Sequence, residues 1–233
     1  MIHWFERQEQ MRLFPDREWT AAGSRPRCRL LAVSLAIILI SGWMALTTGR
    51  IEPLCRNIVY IHAPAAIPAL LCFAVLFVCS INYLRTKREK WDHIAAGAAE
   101  VGLVFATAFN ATGMIFARAE WGQFWTPSPR LISSAVLWFL YIAYLILRAS
   151  LTSEQQREKI SAVFGIIAFL DVPLVLISAR FVRDIHRPST SFQTGGQYVA
   201  FGLAVCGMLL LAWLLIRIRA DILKTDSELS NID

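Results

Sequence analysis

Six apolar stretches separated by short polar connections divide this chain of 233 residues. They run Leu30–Thr48, Ile58–Leu84, Ile94–Phe116, Leu131–Arg148, Ile160–Ala179 and Gln197–Arg217. A helix needs about 20 apolar residues to cross a hydrocarbon core, and each stretch comes close to or exceeds that length. The pattern predicts an all-α membrane protein of six transmembrane helices. Three parts follow: a basic N-terminal segment, 1–29, a six-helix bundle, 30–217, and a C-terminal tail, 218–233. The first span lies too far along the chain, and runs too long, to read as a cleaved leader, so it is expected to be retained.

Charge sets the orientation. Of the 23 Lys and Arg residues, 16 fall in the N-terminal segment, the connections after spans two and four, and the C-terminus, against 7 in the other three loops. Basic residues are retained on the cytoplasmic side, which predicts both termini inside. The net charge of +6 is then a topological signal and not a nucleic-acid footprint. Composition agrees, with 56% hydrophobic residues and a mean hydropathy of +0.50. No CxxC or zinc-type Cys/His spacing occurs. Cys55 alone among the five cysteines falls in an outer loop, which leaves no disulfide on that face.

With this topology the outer face carries two of the four histidines. His62 lies about one turn inside the second span, followed by Pro64 and Pro68. His186 lies just after the fifth, stopped by Pro188. Between spans three and four runs WGQFWTPSPR, Trp121 to Arg130, on the same side. Two neutral imidazoles are too few for a zinc site, which takes three or four protein ligands. They suit haem iron, whose equatorial positions are filled by the macrocycle. Trp121 and Trp125, four apart, would share a face and offer a flat apolar platform if their segment is helical. Haem propionates call for guanidinium partners. Arg130 closes the aromatic segment, with Arg56, Arg118, Arg180 and Arg183 within reach. Inside the spans Glu100, Asn110 and Asp171 are polar exceptions and functional candidates. Asp171 precedes Pro173, where a kink is expected.

These residues resemble the CcmC family of haem-handling membrane proteins from cytochrome c maturation. The likeness runs from the first span onward. It rests on VYIHAPAAI around His62, TGMIFARAEWGQFW, PRLISS opening the fourth span, and DVPLVLIS followed by RFVRDIH. The resemblance implies an inner-membrane protein that holds non-covalent haem b on its periplasmic face, with His62 and His186 as axial ligands. Trp121, Gly122 and Trp125 would form the platform, followed by the basic Arg130, and Ser178 also matches the family pattern. Implied partners are the periplasmic haem chaperone CcmE, the small membrane subunit CcmD and the ATP-binding transporter of CcmA and CcmB. One departure stands out: the family motif continues to a Trp-Asp pair where this chain has Pro127 and Ser128. Other functions compatible with the pattern are a haem lyase acting on apocytochrome thiols, a solute permease, and a scaffold subunit that no longer binds haem.

Overall fold

A computed structural model describes residues 21–51, 54–181 and 192–230. His186, Arg183, Cys55 as a side chain and most of the loop after the fifth span lie outside the described residues. All regular structure among the described residues is helical, and six segments are long and apolar enough to span a membrane. The helices are α1 (Ala21–Leu46), α2 (Val59–Thr86), α3 (Glu89–Trp121), α4 (Pro129–Ser150), α5 (Glu154–Ala168), α6 (Asp171–Phe181) and α7 (Gly195–Ser230). A 3-10 turn, Leu54–Ile58, leads into α2.

Each predicted span is present, most with longer ends, although the first helix stops at Leu46, short of the expected Thr48. Helix α7 runs on through Arg217 as one helix to Ser230. The fifth span is two helices, α5 and α6, parted by a turn at Phe169 and Leu170. Pro173, whose ring excludes the hydrogen bond back to residue 169, falls in the first turn of α6, where no such bond is needed. The expected kink is therefore a break placed just before Asp171. Pro64 and Pro68 lie deeper in α2 than the first turn, because that helix begins at Val59.

Small residues set the tightest contact, between α2 and α3. Ala98, Gly102 and Ala106 recur every fourth residue on α3, all buried. A Cβ at Gly102 would come within 2.7 Å of the Phe73 ring, so only glycine lets α2 approach this closely. Lipid tails offer helices no hydrophobic incentive to associate, and close packing of this kind supplies the cohesion instead. Phe73 in turn stacks on Tyr141 of α4, and both are fully buried. Helix α1 leans on α7, where the Ser41 hydroxyl donates to the Ala200 carbonyl at 2.8 Å.

Charged pairs gather at one end of the bundle. Arg148, closing α4, donates to both carboxylate oxygens of Asp92 at the start of α3, one contact at 2.7 Å. Their side chains are only 12% and 4% exposed. Beside them Tyr83 donates to Glu158 at 2.7 Å. Glu100 is paired with Arg219 of α7, one contact at 3.0 Å. The sequence marks Glu100 as a candidate for function; its geometry makes it a tie between α3 and α7.

Candidate functional site

At the other end the chain builds a largely apolar cleft with a few polar groups among α2, α3, α4 and the α3–α4 connection. His62, Asn110, Gly113, Trp125, Arg130 and Ser134 line it, together with apolar side chains of α3 and α4. Four of the residues singled out from sequence, His62, Asn110, Trp125 and Arg130, thus meet at one place.

His62 is held against α3. Its ring stacks on Phe109 with centroids 4.4 Å apart and planes 19° from parallel. Nδ1 lies 3.0 Å from the Phe109 carbonyl oxygen and 3.3 Å from the Thr112 hydroxyl. A carbonyl only accepts, so the proton of the neutral ring resides on Nδ1. The Nε2 lone pair is then the one suited to a metal, in the arrangement common to ligating histidines that donate their other N–H to a backbone oxygen. The segment just ahead of α2 is pinned as well. The Asn57 carboxamide exchanges two hydrogen bonds with the Ile51 backbone, at 2.9 and 2.8 Å. The Tyr60 hydroxyl donates to the Gly49 carbonyl at 2.6 Å.

The two tryptophans do not share a helical face. Helix α3 ends at Trp121 because Gly122 adopts φ +75°, a left-handed cap that side-chain-bearing residues rarely enter. The Gly122 N–H donates back to the Arg118 carbonyl at 3.1 Å. The chain then runs without helix to α4, and Trp125 reaches the cleft from that extended stretch. Trp121 packs edge-on against Phe116, with centroids 5.7 Å apart, and is not among the cleft's lining residues. The condition placed on the platform, a helical segment, is overturned by one glycine; Gly122 matters for where it turns the chain.

Where the resembled family has a Trp-Asp pair, the structure gives Ser128 a definite task. It is the N-cap of α4, its hydroxyl accepting from the Leu131 N–H at 3.3 Å, with Pro129 opening the helix. Arg130 and Leu131 in the cleft wall therefore lie at a helix N-terminus, where the backbone favours negative charge.

Two other candidates are placed elsewhere. Arg56 pairs with Glu120 at 2.9 Å, tying the 3-10 turn to the end of α3. Ser178 is buried and shares its hydroxyl with Ser133 of α4 at 3.2 Å and with the Val175 carbonyl at 2.9 Å, fastening α6 to α4. Asn110 and Ser134, whose side chains meet at 3.5 Å across the cleft wall, were not foreseen as a pair. Nor was Gly113. Their signal is in the sequence all the same: Asn110, Gly113 and Ala117 fall at i, i+3 and i+7, a small and polar stripe on one face of α3.

The cleft holds about 40 Å³, room for a few waters. A large planar ligand would lie across its mouth and not within it. Among the described residues no cluster of three or more His, Cys, Asp or Glu could hold a bare metal ion. One imidazole, one half-exposed indole and one guanidinium at a helix N-terminus instead suit a flat ligand that brings its own metal and carries anionic groups.

Comparison with known proteins points the same way. The family described as CcmC, Heme exporter protein C, matches residues 17–232. A putative cytochrome c biosynthesis ccmC-like mitochondrial protein of Marchantia polymorpha is 28% identical over 139 residues, 60% of this chain and 58% of its own. Heme exporter protein C of Bradyrhizobium diazoefficiens is 24% identical over 140 residues, 60% of this chain. That match spans 53% of the relative's length, so the chain covers little more than half of these two relatives. Heme exporter protein C of Rhodobacter capsulatus is 26% identical over 175 residues, 71% of this chain and 72% of the relative.

Proposed function

The chain belongs to the heme exporter protein C family, and on that premise we propose that it holds haem at the His62 cleft and hands it to a chaperone during cytochrome c maturation. The observation that carries the reading is the His62 geometry: an imidazole fixed by the Phe109 carbonyl through Nδ1, in a cleft shared with Trp125 and Arg130. Haem is the cargo. His62 and His186 supply its axial bonds, Trp125 offers the flat face with Gly122 turning the chain toward it, and Arg130 receives a propionate at the N-terminus of α4. Trp121 supports the end of α3 beneath that segment. The haem is b-type and exchangeable, because no thioether link to the chain is required.

The cleft end is the periplasmic side of the inner membrane, as the distribution of Lys and Arg supports. The acceptor is the haem chaperone CcmE, and the surrounding assembly includes CcmD and the CcmA–CcmB transporter. Transfer requires one axial bond to break while the other holds. His62 sits on α2 and is stacked and hydrogen-bonded, so His186 is the ligand that lets go. His186→Ala is expected to retain some haem yet fail to load the chaperone in a reconstituted transfer assay. Loading at the wild-type rate would remove His186 from the mechanism.

A further inference from the structure

The backbone of α3 beneath His62 has a feature that no side-chain inventory reveals. A Cβ built on Gly113 would stand 2.8 Å from Cε1 of the His62 ring, 3.3 Å from Nδ1 and 3.8 Å from Nε2. On a helix every Cβ leans toward the N-terminus, over the turn that precedes it. At position 113 that turn contains Phe109, whose carbonyl is the acceptor for Nδ1. A side chain here would thus take the space of the ring and cover the oxygen that orients it.

We infer that Gly113 is a positioning residue for the axial ligand: its missing side chain lets the His62 imidazole lie flat on α3 and donate through Nδ1 to the Phe109 carbonyl, aiming Nε2 at haem iron. The inference rests on the haem reading above. Three contacts converge on the same ring pose. The Phe109 ring lies under the imidazole, the Phe109 carbonyl fixes its proton, and the Thr112 hydroxyl stands 3.3 Å from the same nitrogen. That hydroxyl donates to the Ala108 carbonyl at 2.6 Å, which orients its lone pairs outward. Gly113 is the one member of the group that acts by what it lacks.

The atoms in the way are the far end of a rotatable side chain, so the fold can yield without moving backbone. Alanine is also the better helix former. Gly113→Ala should therefore fold and purify like the parent while displacing the imidazole.

The test uses the full chain, purified in detergent with haem added in equimolar amount, and compares the wild type with Gly113→Ala, His62→Ala and Gly42→Ala. Gly42 has open space around its Cβ position and serves as the helix-glycine control. Gly113→Ala is expected to elute as the wild type does, to lose its low-spin absorption bands, and to bind haem about 10- to 100-fold more weakly, the usual cost of disturbing a ligand's outer support. Millimolar imidazole should restore the low-spin spectrum of the haem that co-elutes with the chain, because the free ligand replaces the misplaced ring; haem released by a merely structural lesion would not co-elute. Gly42→Ala, remote from the His62 ring, should stay low-spin.

A wild-type spectrum and affinity for Gly113→Ala would overturn the inference, as would failure of that variant to fold, or bands that imidazole does not restore. Equal loss in Gly42→Ala would assign the effect to any added methyl on a helix glycine and overturn it too. A wild-type chain whose haem spectrum is indifferent to His62→Ala would sink the haem reading itself, a distinct outcome.

Discussion

His62→Ala is expected to remove haem from the purified chain while leaving the chain folded. The substitution deletes the proposed ligand of the cleft, together with its stacking on Phe109 and its bond to the Phe109 carbonyl. Loss of an axial bond and of that orientation should weaken haem retention by more than about 100-fold, on the order of 3 kcal/mol. The ring is half-buried at the rim of the bundle, away from the α2–α3 contact at Gly102, so the helices should remain assembled. Haem content by pyridine haemochrome and monodispersity by gel filtration read the two quantities separately. A folded variant carrying wild-type haem would exclude His62 as a ligand.

Asp92→Ala should produce the largest loss of stability. The Asp92 carboxylate and the Arg148 guanidinium are almost sealed from solvent and joined through two hydrogen bonds at the ends of α3 and α4. Removing the acid leaves a buried cation without its counter-charge, which costs about 3–5 kcal/mol. The neighbouring Glu158 carboxylate is already engaged by Tyr83. Replacing both partners, as in Asp92→Leu with Arg148→Met, removes the orphaned charge and should be milder than the single change. Thermal unfolding in detergent, followed by loss of monodisperse protein, compares the three chains. A single variant as stable as the wild type would show that water reaches the pair and screens it.

The membrane architecture was legible because hydropathy is a one-dimensional property: a run of apolar residues reads the same wherever its neighbours lie. What escaped depends on partners or on backbone angles. Glu100 and Arg219 are 119 residues apart, and nothing local in either segment reveals that they pair. The turn at Phe169 and Leu170 lies inside an unbroken apolar run, so only Pro173 hinted at it. Helix α7 extends to Ser230 through a polar stretch that a hydropathy reading ends at Arg217.

The site divides along the same line. His62, Trp125 and Arg130 were identifiable as types of residue on one face, and they do converge. The condition that would let Trp121 and Trp125 share a face, a helical segment, is not met, because a glycine inside WGQFW can continue a helix or cap it, and the φ of +75° decides. Arg56 and Ser178 carried plausible chemistry, yet Glu120 and Ser133 engage them. Gly113 drew no attention in the sequence, since a glycine in a membrane helix is common and its meaning lies in what stands opposite.

Electron paramagnetic resonance of the ferric, haem-loaded chain decides whether His62 and His186 bind one iron from opposite sides, as proposed. The wild type should give a low-spin bis-histidine signal, replaced by a high-spin signal or lost in both His62→Ala and His186→Ala. A wild-type signal that persists unchanged in either variant would contradict it.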